Sequence, residues 1–311
     1  MSSNRNSISK EPQLRLLKAP VWQDYELVDS GRGAKLERYG TYTFVRPEHQ
    51  AVWQPRLTAE RWEAAHAVFE PTGEESGGRW RIDKPVKTPW KMGYKGLRFL
   101  AFTANSRHMG VFPEQAVHWD WCTENISARL ANSAAPVRVL NLFGYTGLAT
   151  LAAAQAGAQV THVDASKKSI LLARENQTLS NLGDRPIRWL VDDAFKFVRR
   201  EVRRGSQYEG IILDPPKFGR GPQGQVWELF ESLPELLQNC RKLLSGQPLF
   251  VVLTAYAIRA SALSVYYAMQ EMVEGLGGTL ETGEMALVEQ SGKRLLSTAI
   301  FARWNSEQTN P

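Results

Sequence analysis

The chain has 311 residues, enough for one large or two ordinary domains, and its 43% apolar and 23% charged fractions are those of a globular protein. No apolar run is long enough to cross a bilayer, and the first twenty residues carry no apolar signal core. Two cysteines, Cys122 and Cys240, exclude a disulfide framework and a cysteine zinc site, so the expectation is a cytoplasmic protein with no membrane or metal partner.

The net charge of +6 is modest but unevenly spread. Residues 1–20 read as a flexible arm with its own small basic excess. Residues 21–110 have the texture of a small, basic, antiparallel β domain, with strands expected at 35–39, 41–45, 79–82 and 97–102. A helix is expected at 59–69, opened by Thr58. Between Gly77 and Leu100, Arg79, Arg81, Lys84, Lys87, Lys91, Lys95 and Arg98 face Asp83 alone, an excess equal to that of the whole chain. Such a cluster suits a polyanionic partner. Trp80, Trp90 and Tyr94 lie among these cations. They either fill the core of the small domain or offer stacking faces to unpaired bases.

Residues 111–136 connect the two halves. Val-Phe-Pro-Glu-Gln at 111–115 leads into an amphipathic helix at 116–130, and a small-residue linker follows at 131–136. From 137 to 305 strands and helices alternate. Strands are expected at 137–142, 159–163, 187–191, 210–213 and 249–253. Helices are expected at 148–156, 168–181, 194–204, 226–244 and 260–276. A closing hairpin, 279–288 and 295–304, turns at Ser291-Gly292. This order predicts a doubly wound, mostly parallel seven-stranded sheet with an antiparallel pair at one edge.

The candidate chemistry sits at the carboxyl ends of those strands. The first strand runs into Asn141-Leu-Phe-Gly-Tyr-Thr-Gly147, a glycine turn into a helix that presents backbone N–H groups. It lacks the six-residue dinucleotide fingerprint, and no lysine follows as in a P-loop. Asp164 ends the second strand, where it can accept both hydroxyls of a ribose or cap the next helix. Asp193 ends the third and can accept from an adenine amino group or cap its helix, with Asp192 as the rival. The fourth ends in Asp214-Pro-Pro-Lys-Phe218, where two prolines fix an extended backbone beside an acid.

Taken in this order, residues 112 onward resemble class I S-adenosylmethionine-dependent methyltransferases, which have a Rossmann-like fold. Asn-Leu-Phe-Gly-Tyr-Thr-Gly resembles their first motif, Val-Asp-Ala-Ser the ribose-binding acid, and Asp-Asp-Ala-Phe the adenine-side motif. Asp-Pro-Pro-Lys-Phe and the Val-Phe-Pro-Glu-Gln lead-in resemble the group that methylates bases of large-subunit ribosomal RNA. The resemblance implies S-adenosylmethionine bound by Phe112, Gln115, Asn141, Phe143, Gly144, Thr146, Gly147, Asp164 and Asp192 or Asp193. It implies an RNA base, in ribosomal RNA, held by Asp214, Pro215, Pro216, Lys217 and Phe218. Carbon-5 methyltransferases of this group carry a cysteine after the fifth strand, which here reads Leu-Thr-Ala-Tyr-Ala at 253–257. Periodicity places Cys240 on a buried helical face, and Cys122 ends an aromatic helical stretch that reads as packing. A relative that methylates a guanine ring nitrogen keeps Asp-Pro-Pro without the cysteine after the fifth strand, so the resemblance implies nitrogen methylation. The alternatives are a protein or small-molecule methyltransferase and a non-catalytic nucleic-acid-binding protein of this fold. A basic stripe at Lys196, Arg199, Arg200, Arg203 and Arg204 is either a solvated helix face or a phosphate contact. The sequence sets no oligomeric state.

Overall fold

Short apolar strands followed by one-sided helices bury themselves only by stacking into layers, and residues 138–305 do so around a single sheet. The computed structural model describes residues 11–72, 77–104, 106–221, 224–256 and 258–306. The chain begins with β1 (Leu14–Lys18), β2 (Tyr25–Gly31), β3 (Ala34–Tyr39), β4 (Tyr42–Pro47), α1 (Ala59–Glu63), β5 (Ala67–Pro71), β6 (Gly78–Ile82), β7 (Trp90–Tyr94) and β8 (Leu97–Ala101). A 3-10 turn, Pro113–Gln115, leads into α2 (Ala116–Asn132). Next come β9 (Arg138–Leu142), α3 (Leu148–Gln155), β10 (Gln159–Asp164), α4 (Lys167–Leu179), β11 (Ile187–Val191), α5 (Ala194–Arg204) and β12 (Gly210–Leu213). A ribbon of β13 (Phe218–Arg220) and β14 (Val226–Glu228) precedes α6 (Leu229–Leu243), β15 (Phe250–Tyr256), α7 (Ala262–Met272), β16 (Thr279–Val288) and β17 (Leu295–Asn305).

The large sheet has the order β1-β16-β17-β15-β12-β9-β10-β11. Its seven expected strands comprise five parallel ones and the antiparallel pair β16–β17. The eighth, β1, lies parallel to β16. The expected arm is therefore docked from Leu14 onward, while its first ten residues lie outside the described ones. Strand β1 is held chiefly through its backbone, with four of its five side chains exposed, so it leaves no burial pattern to read.

In the N-terminal half, β2 to β6 form a five-stranded sheet in sequence order, antiparallel except for the β4–β5 pair, and β7–β8 is a hairpin. The expected helix at 59–69 ends at Glu63, and β5 takes Ala67–Pro71. Val68 and Phe69 suit a pleated surface, and the alternating burial of β5 overrides the helical composition before it. Likewise, residues 226–228 of the expected long helix pair with β13 instead.

Trp22, Trp90, Tyr94 and Trp119 are buried, and Trp80 packs edge-on against Phe44 and Phe69 at 5.4 and 5.2 Å. The stacking-face reading is thus corrected for Trp90 and Tyr94, which are core, while Trp80 is partly buried against it. They share one apolar cluster with Leu148 and Leu151 of α3 and Leu287 of β16, so the core runs unbroken across the linker at 131–136. Beneath it, Arg46 Nε and Nη2 bind the two oxygens of buried Glu37 at 2.7 and 2.8 Å. Removing either partner of such a pair costs about 3–5 kcal/mol, because the other charge is stranded.

Candidate active site

Strand register sets the site. Leu142 of β9 pairs with Val163 of β10 on one side and with Leu213 of β12 on the other, and Leu213 pairs with Leu253 of β15. Phe143, Asp164, Asp214 and Thr254 therefore stand in one row at the carboxyl ends of four adjacent strands. The row falls where the chain, having added β10 and β11 on one side of β9, returns to its other side. Crevices of open α/β sheets form at such switch points.

The turn from β9 into α3 is tightly wound. Phe143 and Tyr145 hold positive φ angles of 58° and 50°, a conformation costing about 1 kcal/mol or more outside glycine. Tyr145 N–H donates to Asp164 Oδ2 at 2.8 Å, which helps hold that backbone in place. A Cβ on Gly144 would come within 2.3 Å of the His162 ring, so only glycine fits there. Gly147, at φ 84°, is the left-handed residue from which α3 starts. Asn141 donates to Thr150 Oγ1 at 2.8 Å, and Thr150 meets His162 Nδ1 at 2.9 Å. This buried chain supports the turn from below. Thr146 Oγ1 donates to the Gly110 carbonyl at 2.7 Å and ties the turn to the connecting segment.

Asp164 also accepts from Ser166 N–H at 2.8 Å, while Ser166 itself caps α4. The capping alternative thus belongs to Ser166. Each Asp164 oxygen keeps a second lone pair, and burial holds its carboxyl above the usual range. Asp193 caps α5 by accepting from Lys196 N–H at 2.8 Å. Asp192 is turned away: its Oδ2 accepts from Arg200 at 2.6 Å.

A cavity of about 360 Å³ opens along this row. Of the residues singled out in the sequence, Phe112, Gln115, Phe143, Asp164, Asp193, Asp214, Pro215, Pro216, Lys217 and Phe218 line it. Asn141, Gly144 and Thr146 line a smaller inner recess. Gly147 and Asp192 line neither. Asp214 faces the cavity and titrates at about 7: burial raises it most, Glu114 adds repulsion, and a hydrogen bond from Gln115 opposes both. The proline turn is pinned by Trp227, whose Nε1 donates to the Pro216 carbonyl at 2.6 Å and whose ring lies 5.1 Å from that of Phe143.

Not evident from the sequence were Glu114, Tyr145, Trp227, His108 and Tyr256; the last two stand with the expected Phe112 in an aromatic group whose rings lie 5.2 to 6.4 Å apart. Tyr256 could have been found, since it ends β15, where a strand-end side chain faces the crevice. His108 lies between elements with no periodic signal.

A sequence profile of the S-adenosylmethionine-dependent methyltransferases matches residues 50–262. The chain belongs to that family. A crystal structure of a SAM-dependent methyltransferase from Agrobacterium tumefaciens is 46% identical, with a TM-score of 0.88 over 97% of this chain and 98% of that one. Another methyltransferase, solved in complex with SAH, is 18% identical and shares the fold at a TM-score of 0.67, over 88% of this chain and 71% of that one. The ribosomal RNA large subunit methyltransferase I of Aeromonas salmonicida is 31% identical over 147 residues, 47% of this chain and 32% of that protein. Its namesake in Tolumonas auensis is 44% identical over 82 residues, 26% of this chain and 21% of that protein. The matches thus span a third or less of these curated relatives.

The methyltransferase takes S-adenosylmethionine as its donor, and the glycine turn, the acid beyond it and the adjoining cavity fit that molecule. Among the described residues no cluster of three or more metal-ligating side chains occurs, and no helix is long and apolar enough to cross a membrane. Cys122 and Cys240 are 2% and 0% exposed, burial pushes both thiols well up, and neither lines the cavity. The basic stripe of α5 is largely ion-paired, Arg199 with Glu235, Arg200 with Asp192 and Arg204 with Glu201. In the N-terminal segment Arg79 pairs with Glu70 and Lys95 with Asp120, whereas Lys87 and Lys91 are exposed.

Proposed function

We propose that this methyltransferase acts on a base of ribosomal RNA and places the methyl on a nitrogen. The observation that carries the reading is the Asp214 carboxyl, which titrates near neutrality and opens onto a cavity that neither cysteine reaches. Carbon-5 attack needs a nucleophile to activate the ring, and a thiol is the usual one. A ring or exocyclic nitrogen instead needs its N–H aligned and its proton accepted, which a carboxylate with a pKa near the working pH does well.

S-adenosylmethionine, when bound, supplies an activated methyl on a sulfonium. The residues of the chain supply position. Phe112, Gln115, Phe143, Tyr145, Asp164 and Asp193 would hold the donor, with Asp164 toward the ribose and Asp193 toward the adenine. Asp214 and the rigid Pro215-Pro216 turn would hold the acceptor edge, and little ordering entropy is lost because Trp227 already pins that turn. A planar base suits the His108, Phe112 and Tyr256 rings. The names of the relatives support ribosomal RNA as the substrate, and exposed Lys87 and Lys91 suit its phosphates. Mass spectrometry of nucleosides from ribosomal RNA of a deletion strain tests the reading. One methylated nucleoside should vanish and return on complementation. An unchanged nucleoside profile would move the substrate to a protein or small molecule.

A further inference from the structure

We propose that Arg107 clamps a backbone phosphate of the RNA nucleotide whose base enters the cavity. This rests on the ribosomal RNA reading and adds to it the residue that holds the nucleotide by its charge. Arg107 lines the cavity beside His108 and Phe112. Its guanidinium carbon lies 5.9 Å from the centre of the Tyr256 ring. Among the described residues it forms no ion pair, and its buried Nε has no hydrogen-bond partner. Buried N–H groups are almost always paired, so an unpaired one on a cavity wall marks a place for an acceptor from outside the chain.

This cation stands apart from the donor end of the cavity. A row of rings crosses the site: Tyr145 lies 5.7 Å from Phe112, and Phe112 lies 5.7 Å from Tyr256. At one end of the row, Tyr145 N–H donates to Asp164, the acid assigned to the donor's ribose. Arg107 sits at the other end, over Tyr256. The sheet agrees. Asp164 ends β10 and Tyr256 ends β15, with β9 and β12 between them. Three strand spacings of about 4.8 Å put roughly 14 Å between those two strands. Asp214, which follows β12, lies in that interval. Leu213 pairs with Leu253, so Tyr256 also reaches further out from the sheet than the level of Asp214. A base seated against Asp214 would therefore have the donor on one side and Arg107 on the other, where its sugar and phosphate leave the cavity.

The wall behind Arg107 holds it in place and is itself cationic. Arg46 Nη1 donates to the Arg107 carbonyl at 2.8 Å, and Arg46 is fixed by its two bonds to buried Glu37. Trp80 Nε1 donates to the Ser106 carbonyl at 3.3 Å, and Ser106 Oγ accepts from His108 N–H at 3.1 Å. The backbone that carries Arg107 is thus pinned, which lowers the ordering cost of meeting an anion. His108 stays neutral: burial first, then the charges of Arg46 and Arg107, lowers its pKa to about 4. Glu114, the buried acid near this wall, is answered from behind by Lys35 and Arg46. A guanidinium presents a planar fork of donors that fits two oxygens of one phosphate. Drawing a base out of its stack is costly, and a clamp on its phosphate offsets part of that cost.

The test compares full-length wild type with R107Q and R107K. R107Q should raise KM for ribosomal RNA from a deletion strain by about tenfold or more, the loss expected for a charge-assisted hydrogen bond. The log–log salt slope of its RNA binding should fall by roughly 0.7–0.9, the share of one phosphate. R107K keeps the charge and loses the fork, so it should restore the slope but only part of the KM. Calorimetry with S-adenosylmethionine should give the same affinity for all three proteins, which also shows that the variants are folded. Loss of donor affinity in R107Q would place Arg107 on the donor's carboxylate and overturn the proposal. If the wild type methylates no ribosomal RNA, the ribosomal RNA reading fails and the clamp falls with it. If the wild type does methylate it and R107Q keeps both slope and KM, the clamp alone fails.

Discussion

Gln115 and Asp214, 99 residues apart in sequence, are joined by a 2.9 Å hydrogen bond from Nε2 to Oδ2. The other end of the same amide lies 3.5 Å from Thr254 Oγ1, so Gln115 bridges the connecting turn to the ends of β12 and β15. The lead-in before α2 thereby becomes part of the site. It also fixes which oxygen of Asp214 is taken and which is left for a substrate.

Removal of that bond has a definite sign. Gln115 stabilises the ionised carboxylate and holds its pKa down against burial and Glu114. In Gln115→Ala the pKa should rise above about 7, and since the ionised form accepts the proton, the acid limb of kcat/KM should move to higher pH. At pH 7 a rise of about one unit would cut the ionised fraction, and with it kcat/KM, roughly fivefold. A pH–rate profile checks it, and an unmoved limb would mean that Gln115 only positions the donor.

Asp164 should matter for the donor and not for the acceptor. It accepts from Tyr145 N–H and Ser166 N–H, and its carboxyl lines the cavity. Asp164→Ala should lose two charge-assisted hydrogen bonds to the ribose, on the order of 2–4 kcal/mol of binding. Tyr145 would also lose the partner that helps hold its φ of 50°. Calorimetry with S-adenosylmethionine measures the loss. Asp214→Ala in the same titration should bind within a few-fold of wild type while transferring no methyl. Equal binding loss in both variants would assign the whole row to structure.

The repeating half was legible because its central strands are buried on both faces and read as apolar runs, as Gly210–Leu213 of β12 and Phe250–Leu253 of β15 do. The ordered acids followed, because a parallel sheet must place Asp164, Asp193 and Asp214 at one end. The N-terminal half was less legible for a physical reason. Strand β1 is held chiefly through its backbone, β5 follows a helix of similar composition, and β7 is packed by rings from distant strands. Glu114 was invisible for another reason. A buried acid beside a proline reads as an ordinary surface turn until the 3-10 turn that carries it docks at the cavity that Asp214 lines.

The basic N-terminal segment divides by pairing. Arg79, Arg81 and Lys95 are engaged with acids, and Lys84 donates to the Ala64 carbonyl, whereas Lys87 and Lys91 are exposed. Lys87→Gln with Lys91→Gln should flatten the log–log salt dependence of RNA binding by roughly 0.7–0.9 for each phosphate that the variant no longer neutralises. Lys95→Gln should change that slope little, because its charge is already met by Asp120. A filter-binding series from low to moderate salt distinguishes them. Equal slopes in all variants would remove this segment from the RNA path.

The last prediction concerns covalent chemistry. Attack on carbon 6 of a cytosine requires a thiolate within bonding reach of the ring, and the chain has two thiols. Cys122 clusters with Ile126 and Val139, and Cys240 with Leu236 and Leu237, and neither thiol lines the cavity. Burial raises both thiols, so neither is ionised near neutral pH. Cys122→Ser with Cys240→Ser should keep methyl transfer within a few-fold of wild type. It should lose about 1–3 kcal/mol of stability, because each hydroxyl enters an apolar cluster without an assured partner. Thermal melts read that cost separately from turnover. RNA carrying 5-fluorocytosine should form no denaturation-resistant adduct with wild type, because release is blocked only for an enzyme bound through sulfur. An adduct that either serine abolishes would place a thiol at the ring, and Asp214 would then serve carbon-5 chemistry.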